Sequence, residues 1–379
     1  MRIAFIGQKG IPAVSGGVEK RVEELSSRMA EMGHEVFVYA RNNYTDRNLK
    51  EYRGVKIIHL PNIPTKHLDA ISHTFLATMH ALFQGYDVIN YQAPGPSTLS
   101  WIIKIFNRKT ALVGTFNSRD CFHQKWDWLA RTYLRFGEYI ICTIPHKTIV
   151  VSKSLYDWAR KKYGTYGAII PNGAEIAHNP ETNLLSQWGL KEKRYILYVG
   201  RLIKHKGIHY LIEAFKRLED TNKLPNNFKL VIAGDGFHTD EYVKYLRLIS
   251  EKRGNIIFTG AQSGKALSQL FSHTYLFVQP SESEGLSIAL LEAMGYGIAP
   301  LVSNIKENKE AVGNAGFTFI VKDIEDLKEK LAYLLNKPAE TERIGALARE
   351  RVRREFSWDS AAGKTLRAYQ DVINSLARK

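Results

Sequence analysis

Two glutamates, Glu284 and Glu292, have a spacing that could serve one elongated ligand. If both belong to one helix, they lie about 12 Å apart, at about 1.5 Å per residue. Carboxylates that far apart cannot share one proton or one metal ion, but they could hold the two ends of a ligand. The alternative interpretation is structural, with one capping glutamate and one glutamate that faces solvent.

The segment around the first glutamate also predicts an anion site. Thr274–Pro280 is an apolar run typical of a buried strand, and residues 286–294 have a helical composition. Ser281 and Ser283 are natural helix caps, and Gly285 allows another backbone to approach closely. A strand, a short polar loop and a helix in this order leave free N–H groups at the helix start, where anions bind.

A basic loop, Gly200–Gly207, directly follows Tyr195–Val199, an apolar segment typical of a strand. The loop contains three cations and a histidine, and in open α/β sheets ligands bind at the carboxyl ends of the strands. Arginine offers a planar fork for phosphate oxygens, and lysine offers a point charge. Solvation of a surface loop explains these charges equally well in isolation. Combined with the predicted anion site, the pattern favours a diphosphate held between Arg201, Lys206 and the helix.

Several common site motifs are absent from the sequence. The glycines of the first loop, Gly7–Gly17, do not match the Gly-x-Gly-x-x-Gly dinucleotide fingerprint, although that loop could still approach a phosphate. No Cys/His cluster, Gly-x-Ser-x-Gly segment or P-loop occurs. No Asp-x-Asp pair occurs either, so we expect Arg201, Lys206 and helix amides, rather than a metal ion, to neutralise a diphosphate.

The elements that must position these residues form two series of alternating strands and helices. In the first half, strands are predicted at Ile3–Ile6, Val36–Ala40, Val55–Leu60, Val88–Tyr91, Ala111–Phe116, Thr148–Val151 and Ala168–Ile170. In the second half, strands are predicted at Tyr195–Val199, Leu230–Ala233, Ile256–Thr259, Thr274–Val278 and Ile298–Val302. Repeated βα units predict an α/β fold with two Rossmann-like, doubly wound parallel-sheet domains that face each other across a cleft. Residues 1–180 would form the first domain and residues 190–357 the second, and a helix in residues 358–379 would cross back to the first.

Composition indicates a globular, intracellular protein. The chain has 379 residues, of which 44% are hydrophobic and 24% charged, as is ordinary for two globular domains. Two cysteines, Cys121 and Cys142, suggest neither a disulfide framework nor a thiolate metal site and fit a reducing cytosol. The N-terminus resembles a short strand rather than a signal peptide, and no stretch is long and apolar enough to span a bilayer. We therefore expect a cytoplasmic location.

The chain is basic, with a net charge of +15. Residues 1–180 carry 23 Lys/Arg against 14 Asp/Glu, hence +9, and residues 181–379 carry 30 against 24, hence +6. This charge favours phosphate-bearing ligands, an anionic membrane surface or nucleic acid, without choosing among them. Two aromatic and basic segments, Trp101–Lys109 and Lys125–Arg135, point to peripheral contact with an anionic membrane. Amphipathic helices with buried aromatic faces would have the same composition.

Taken together, the motifs resemble those of the family 4 retaining glycosyltransferases of the GT-B fold, the glycogen-synthase-like group. The resemblance covers essentially the whole chain. Its most specific marks are the Glu-x7-Glu spacing, the Gly-Arg…Lys-Gly loop, Gly16-Gly17-Val18-Glu19 and Pro171-Asn172-Gly173. The N-terminal half is similar to rhamnosyltransferase-like members.

The resemblance implies a role for each matching position. Arg201 and Lys206 would hold the donor diphosphate and Glu284 would bind hydroxyls of the donor sugar, which makes these three the catalytic candidates. Glu292 would bind the ribose diol, and the region just after Gly260 would meet the base. The implied donor-binding candidates are Gly17, Gly260, Ala261, Gly285, Leu286, Ser287 and Glu292.

One position departs from the family pattern. Many members carry a histidine beside the reacting sugar, at the end of the strand that matches Ala111–Phe116, and rhamnosyltransferase-like members carry an acidic residue there. This sequence has Asn117 instead. Because Asp120 and His123 lie nearby, the acceptor-side candidates are Asn117, Asp120 and His123.

The resemblance implies a retaining, metal-independent glycosyltransferase that needs no cofactor. It would move a sugar from a UDP-, GDP- or dTDP-sugar to a hydroxyl of a glycan or lipid-linked acceptor, in polysaccharide or glycolipid synthesis at the cell surface. A nucleotide-sugar 2-epimerase, which shares the fold and needs no acceptor, stays open as an alternative. A nucleic-acid-binding protein would explain the charge alone, but the sequence contains no recognised binding module, so we expect no nucleic-acid partner.

Overall fold

The computed structural model describes residues 1–14, 16–65, 68–119, 128–236, 239–251 and 253–378. The chain divides into two compact units. Unit 1 comprises Met1–Asn172 and Trp358–Lys379, and unit 2 comprises Gly173–Ser357. The first passage between the units falls within Pro171-Asn172-Gly173, where proline and glycine interrupt regular structure.

Strands and helices alternate along most of the chain. The strands are β1 (Arg2–Ile6), β2 (Glu35–Arg41), β3 (Glu51–Tyr52), β4 (Val55–Leu60), β5 (Val88–Gln92), β6 (Ala111–Phe116), β7 (Lys147–Val150), β8 (Gly167–Ile169), β9 (Tyr195–Val199), β10 (Lys229–Ala233), β11 (Ile256–Gly260), β12 (Leu276–Gln279), β13 (Pro300–Ser303) and β14 (Phe317–Phe319). The helices are α1 (Gly17–Glu31), α2 (Leu68–Ala81), α3 (Pro94–Ser97), α4 (Ser100–Phe106), α5 (Trp128–Thr143), α6 (Lys153–Tyr163), α7 (Ile208–Asp220), α8 (Asp240–Ser250), α9 (Gly264–His273), α10 (Ile288–Gly295), α11 (Lys306–Val312), α12 (Ile324–Leu335), α13 (Pro338–Glu355) and α14 (Trp358–Ala377).

Unit 1 is built on an eight-stranded sheet in the order β3-β4-β2-β1-β5-β6-β7-β8. Neighbouring strands are parallel except for the short edge pair β3 and β4. Strand β1 is buried without interruption from Ile3 to Ile6, as expected for a central strand of a sheet that is covered on both faces. The direction of winding reverses between β1 and β5, which places a topological switch point there.

The last helix, α14, packs within unit 1 against α1 and β6. Arg28 of α1 donates a hydrogen bond to Asp359 at 2.7 Å. Asn90 of β5 donates its side-chain N–H to the hydroxyl of Tyr369 at 2.6 Å, and Tyr369 is fully buried. The C-terminal segment therefore completes the core of the unit that begins the chain.

Unit 2 is built on a six-stranded parallel sheet in the order β11-β10-β9-β12-β13-β14. Its switch point lies between β9 and β12. Helix α7 shows how the sequence builds this layer, because Ile208, Leu211, Ile212 and Phe215 recur at helical spacing and are all buried in the core of the unit.

The predicted α/β architecture, with two doubly wound parallel sheets, is confirmed. The short strands β3 and β14 were not predicted. The helix after β12 begins at Ile288 rather than at Leu286, and its N-cap is Ser287, so the prediction that Ser281 and Ser283 cap it is wrong. Within the described ranges, no helix combines the length and the apolar character that crossing a bilayer requires.

Candidate functional site

The predicted donor-site residues of unit 2 lie on loops that leave neighbouring strands. The basic loop, residues 200–207, follows β9, and a second loop, residues 280–287, follows β12. We call the second one the acidic loop, because it contains Glu282 and Glu284. Since β9 and β12 are parallel and flank the switch point, both loops start at the edge of the sheet where such folds bind ligands.

The basic and acidic loops are joined through their backbones. The N–H of Glu282 donates to the carbonyl of His205 at 2.7 Å. Gly207 has a φ of 71°, and a Cβ at this position would lie 2.1 Å from the carbonyl oxygen of Pro280. Glycine alone tolerates both this left-handed conformation and this close approach. Gly207 therefore allows the two loops to pack directly against each other, and it also ends the basic loop.

The ends of β9, β10 and β11 are also joined. Gly234, directly after β10, has a φ of 159°, and a Cβ there would lie 1.9 Å from the carbonyl oxygen of Gly200. The Gly234 N–H donates to the carbonyl of Gly260 at 2.9 Å, and the Gly200 N–H donates to the carbonyl of Ala233 at 3.0 Å. The predicted base-binding residues Gly260 and Ala261 thus lie at the same edge of the sheet as the basic loop.

Lys206 and Glu284 form the central ion pair of this site. The lysine Nζ lies 2.5 Å from Oε1 of Glu284 and 2.7 Å from Oε2. Only 17% of the lysine side chain and 7% of the glutamate side chain are exposed. The structure therefore brings two of the three catalytic candidates into direct contact. Removing either partner would leave the other charge buried and unpaired.

Arg201, the third catalytic candidate, is exposed. Among the described residues, its side chain has no hydrogen-bond or ion-pair partner. Its backbone is held by the hydroxyl of Tyr198, which donates to the Arg201 carbonyl at 3.1 Å. Tyr198 is fully buried, and this burial raises its pKa well above the ordinary value, so the hydroxyl stays a donor. The arrangement presents a guanidinium that can take an anion without first breaking an ion pair.

Helix α10 begins later than the sequence suggests, and its N-cap is Ser287. The Oγ of Ser287 accepts from the N–H of Leu290 at 3.3 Å, which is a normal N-cap bond. Ser281 is fully buried instead, and its carbonyl accepts a hydrogen bond from the hydroxyl of Ser303 on β13. Ser281 therefore ties the acidic loop to the next strand rather than capping the helix.

The two glutamates of the Glu-x7-Glu pattern do not share one helix. Glu284 precedes the helix, whereas Glu292 lies on it and is half-buried. The assumption of one continuous helix, from which the separation of about 12 Å was calculated, is therefore wrong. Of the other donor-binding candidates, Gly285 and Leu286 are buried in the acidic loop, and Ser287 uses its side chain as the cap.

Glu282 is a residue of the acidic loop that no sequence motif singles out. The Tyr210 hydroxyl donates to its Oε1 at 2.9 Å, and the Lys322 Nζ lies 2.9 Å from its Oε2. Burial raises the pKa of Tyr210 to about 12, and the hydrogen bond to Glu282 adds to the effect. Because Tyr210 belongs to α7 and Lys322 follows β14, Glu282 fixes the acidic loop from two sides. The alternating Ser-Glu-Ser-Glu sequence could not show which carboxylate has this role.

Two predicted site residues, Gly17 and Asn117, lie in the described part of unit 1. Gly17 is the first residue of α1, and the loop before it is held by Glu19, whose Oε1 accepts from the N–H of Lys9 at 3.1 Å. Asn117 follows β6, and its side-chain N–H groups approach Oε1 of Gln92 at 3.4 Å and the Thr115 carbonyl at 3.3 Å. The acceptor-side candidates Asp120 and His123 lie outside the described residues.

Arg119 also follows β6, two residues after Asn117, and no sequence motif marks it. Its guanidinium carbon lies 3.7 Å from the centroid of the Trp158 ring, and its Nε lies 3.8 Å from Oε1 of Glu138, which is fully buried. Stacking of this kind fixes a guanidinium in one orientation. Trp158 and Glu138 come from α6 and α5, so their proximity to Arg119 depends on the tertiary fold.

The site in unit 2 combines groups that recognise phosphates with groups that recognise hydroxyls. Arg201 and Lys206 can neutralise an anion, and Glu284 can accept hydrogen bonds from hydroxyl groups. In the part of the chain that the structure describes, no cluster of three or more His, Cys, Asp or Glu side chains is arranged to hold a metal ion. The site therefore suits a ligand that carries both phosphate and hydroxyl groups.

Two family models match consecutive parts of the chain. Residues 15–178 match Glycosyltransferase Family 4. Residues 181–351 match Glycosyl transferases group 1. The second match contains every donor-site candidate of unit 2.

Individual proteins match over nearly the whole length. The chain is 27% identical to a glycogen synthase of Mycobacterium tuberculosis, over 97% of this chain and 94% of the relative. Among solved structures, sucrose-phosphate synthase from Thermosynechococcus elongatus superposes with a TM-score of 0.84 at 22% identity and covers 99% of both chains. Anabaena HepE in complex with UDP and glucose superposes with a TM-score of 0.80 at 19% identity, over 98% of this chain and 100% of that one. At these identities, the structural likeness shows a shared fold.

Proposed function

The chain belongs to the family 4, group 1 glycosyltransferases with the GT-B fold, and we propose that it transfers a sugar from a nucleotide-diphosphate sugar to an acceptor hydroxyl. We propose further that the transfer retains the configuration of the sugar and needs no metal ion. The observation that carries the proposal is the pairing of Lys206 with Glu284, beside Arg201, at the switch point of unit 2. This constellation offers cations for a diphosphate and a carboxylate for a sugar.

The proposed roles follow the chemistry of these groups. Arg201 and Lys206 neutralise the diphosphate, whose negative charge grows as the bond to the sugar breaks. Preorganised cations stabilise such a developing charge better than water does, because they need no reorganisation during the reaction. Glu284 accepts hydrogen bonds from hydroxyls of the donor sugar, and Glu292 accepts them from the ribose diol.

Donor binding requires an exchange of partners at Lys206. In the structure, this lysine contacts both oxygens of Glu284. When the diphosphate binds, Lys206 donates some of its hydrogen bonds to the phosphate oxygens instead of to Glu284. The oxygens of Glu284 can then accept hydrogen bonds from sugar hydroxyls. The acceptor oxygen then attacks the sugar carbon on the face from which the diphosphate departs, through an oxocarbenium-like state. The bond to the diphosphate breaks, and the departing diphosphate takes the proton of the acceptor hydroxyl.

The donor and acceptor classes rest on the relatives. The complex of Anabaena HepE with UDP and glucose supports a nucleotide-sugar donor. The glycogen synthase relative supports a role in polysaccharide synthesis. The acceptor would be a glycan or a lipid-linked glycan that reaches Asn117, Asp120 or His123.

A peripheral membrane contact by unit 1 is part of this proposal. The exposed large apolar side chains of α4 are Trp101, Ile105 and Phe106, and those of α5 are Trp128, Leu129, Tyr133, Phe136 and Tyr139. Helix α2, which packs beside α4, adds Leu68, Phe75, Leu76 and Met79, which were not predicted. These exposed side chains support the proposed membrane contact over the alternative of amphipathic helices with buried aromatic faces.

The charges on these three helices suit an anionic lipid surface. Their described carboxylates are Asp69, which pairs with Arg41 at 2.5 Å, and the fully buried Glu138. Lys104 lies on α4, and Arg108 and Lys109 directly follow it. Basic residues beside exposed aromatic side chains are typical of surfaces that bind anionic membranes.

Incubation with UDP-, GDP- and dTDP-sugars tests the activity. Transfer from one of these donors to a glycan or lipid-linked acceptor, in excess EDTA and with the anomeric configuration retained, is the expected result. Complete loss of transfer in EDTA that magnesium restores would contradict metal independence. Conversion of the donor to its 2-epimer without acceptor would identify an epimerase instead.

A further inference from the structure

Glu307 is a carboxylate of unit 2 that neither the sequence motifs nor the proposed mechanism uses. It lies in the first turn of α11, which follows β13. Because β13 is the parallel neighbour of β12, α11 and the acidic loop start at the same edge of the sheet. Glu307 and Glu284 therefore come from adjacent strand ends.

A buried polar network fixes the start of α11 against the acidic loop. The side-chain N–H of Gln279, on β12, donates to Oδ1 of Asn308 at 2.8 Å. Asn308 donates to the hydroxyl of Ser303 at 3.0 Å, and that hydroxyl donates to the carbonyl of Ser281. All four residues are buried. The residue next to Glu307 is thus bonded, through one serine, to the loop that carries Glu284.

The Glu307 side chain is half-buried, and its carboxylate accepts a hydrogen bond from its own backbone N–H. Among the described residues, it forms no ion pair. Burial raises its pKa above the ordinary value, and repulsion from Glu284 and Glu310 adds to this effect. The hydrogen bond from its own backbone N–H and the charge of Lys306 lower the pKa without cancelling the rise. A partly buried carboxylate held beside another carboxylate works against folding, so its presence at this edge points to a ligand.

We propose that Glu307 is a second carboxylate of the donor-sugar subsite, which accepts a hydrogen bond from a hydroxyl of the transferred sugar that Glu284 does not bind. The inference rests on the proposed function. Two carboxylates from adjacent strand ends are separate acceptors, so they can bind two different hydroxyls of one sugar. A sugar epimeric at the hydroxyl that faces Glu307 would leave that carboxylate without its donor.

Glu307→Gln tests this role, because the amide keeps the size of the side chain and removes its charge. Dissociation constants would be measured by calorimetry for UDP and GDP, and for UDP-glucose, UDP-galactose and GDP-mannose. For the preferred donor, we expect binding to weaken about tenfold, because a hydrogen bond to a neutral amide oxygen is weaker than one to a charged carboxylate. Binding of the nucleoside diphosphate alone should change less than twofold, and the preference between epimeric donors should narrow.

Glu350→Gln is the matched control. Glu350 lies on α13, is exposed and pairs with Arg353, so its substitution should change none of these constants. If Glu307→Gln binds donor sugars as the wild type does, the inference is wrong and the proposed function stands. If the substitution weakens the binding of UDP or GDP as much as the binding of the nucleotide sugar, Glu307 affects the conformation of the acidic loop rather than contacting the sugar. That result would also overturn the inference. A wild-type protein that binds no nucleotide sugar would overturn both proposals.

Discussion

Arg201 and Lys206 are both cations of the basic loop, yet their surroundings differ. Arg201 is exposed, whereas Lys206 is mostly buried against Glu284. The sequence spacing could predict that both follow the same strand, because a strand end is a local feature. It could not predict the ion pair, because Glu284 lies on a different loop and meets Lys206 only when β9 and β12 pair.

This difference predicts separate effects on stability and activity. Arg201→Ala should lower turnover about 100-fold or more, the scale of losing one preorganised donor, and should leave Tm unchanged. Lys206→Ala should lower turnover at least as much and should also lower Tm, because Glu284 stays buried without its cation. Initial rates and thermal unfolding measure both effects, with the exposed Lys204→Ala as the control. Normal transfer by both site variants would refute the diphosphate assignment.

The two glutamates of the motif should also separate in kinetic measurements. Glu284→Gln should mainly lower kcat, because its proposed contact is to the sugar that reacts. Glu292→Gln should mainly raise the dissociation constant of free UDP or GDP, because a ribose diol does not change during the reaction. Equal effects of both substitutions on free nucleotide binding would contradict these assignments.

The stability of the protein should depend on Glu307 in a pH-dependent way. Its pKa is raised in the folded protein, so the folded state keeps this proton to a higher pH than the unfolded chain does. The carboxylate therefore lowers the free energy of unfolding as pH rises from the unfolded pKa through the folded pKa. We expect Glu307→Gln to have a higher Tm than the wild type at pH 7 to 8. The difference should vanish near pH 4, and a lower Tm of the variant at neutral pH would contradict the expectation.

At the scale of elements, apolar runs were sufficient to predict most strands. Strand β9 is a continuous buried run, and it was predicted with the bounds that the structure shows. The start of α10 was predicted incorrectly because Ser281, Ser283 and Ser287 are equivalent as cap residues by composition. Composition also could not show that Ser281 is buried, with its carbonyl bonded to Ser303, because that contact joins the acidic loop to a different strand.

The close contact between the basic and acidic loops predicts that adding one methyl group at Gly207 strongly affects stability and donor binding. Gly207→Ala would bring a Cβ to 2.1 Å from the Pro280 carbonyl oxygen, so the loops must separate. We expect a lower Tm and donor binding weakened about tenfold or more, since a small displacement of positioned groups is costly. Gly264→Ala is the control, because Gly264 also has a positive φ, of 54°, with nothing within 4 Å of the added carbon. Equal effects of both substitutions would show that backbone strain, and not the contact between the loops, is responsible.

At the scale of the whole molecule, the exposed apolar side chains on α2, α4 and α5 predict binding to anionic vesicles. Each Lys or Arg near such a surface contributes about 1 kcal/mol, so the contact should weaken as salt increases. Lys104→Glu, Arg108→Glu and Lys109→Glu together should abolish co-sedimentation with anionic liposomes while transfer to a soluble acceptor persists.

The matched control for that variant makes the same charge change on unit 2. Lys330, Lys337 and Arg343 are all exposed, and replacing the three by Glu should leave vesicle binding intact. Loss of binding in both triple variants would show a response to net charge alone. A wild-type protein that ignores anionic liposomes at low salt would contradict the membrane contact.

The return of α14 to unit 1 has a consequence for biosynthesis. The ribosome releases the chain from its N-terminus, so all of unit 2 emerges before Tyr369 can reach the side chain of Asn90. Unit 2 is contiguous in sequence and can complete its sheet during translation. Unit 1 cannot complete its fold until α14 is synthesised, and until then the surface of α1 and β6 that binds α14 stays exposed. The unit that is synthesised first is therefore the last to complete its fold.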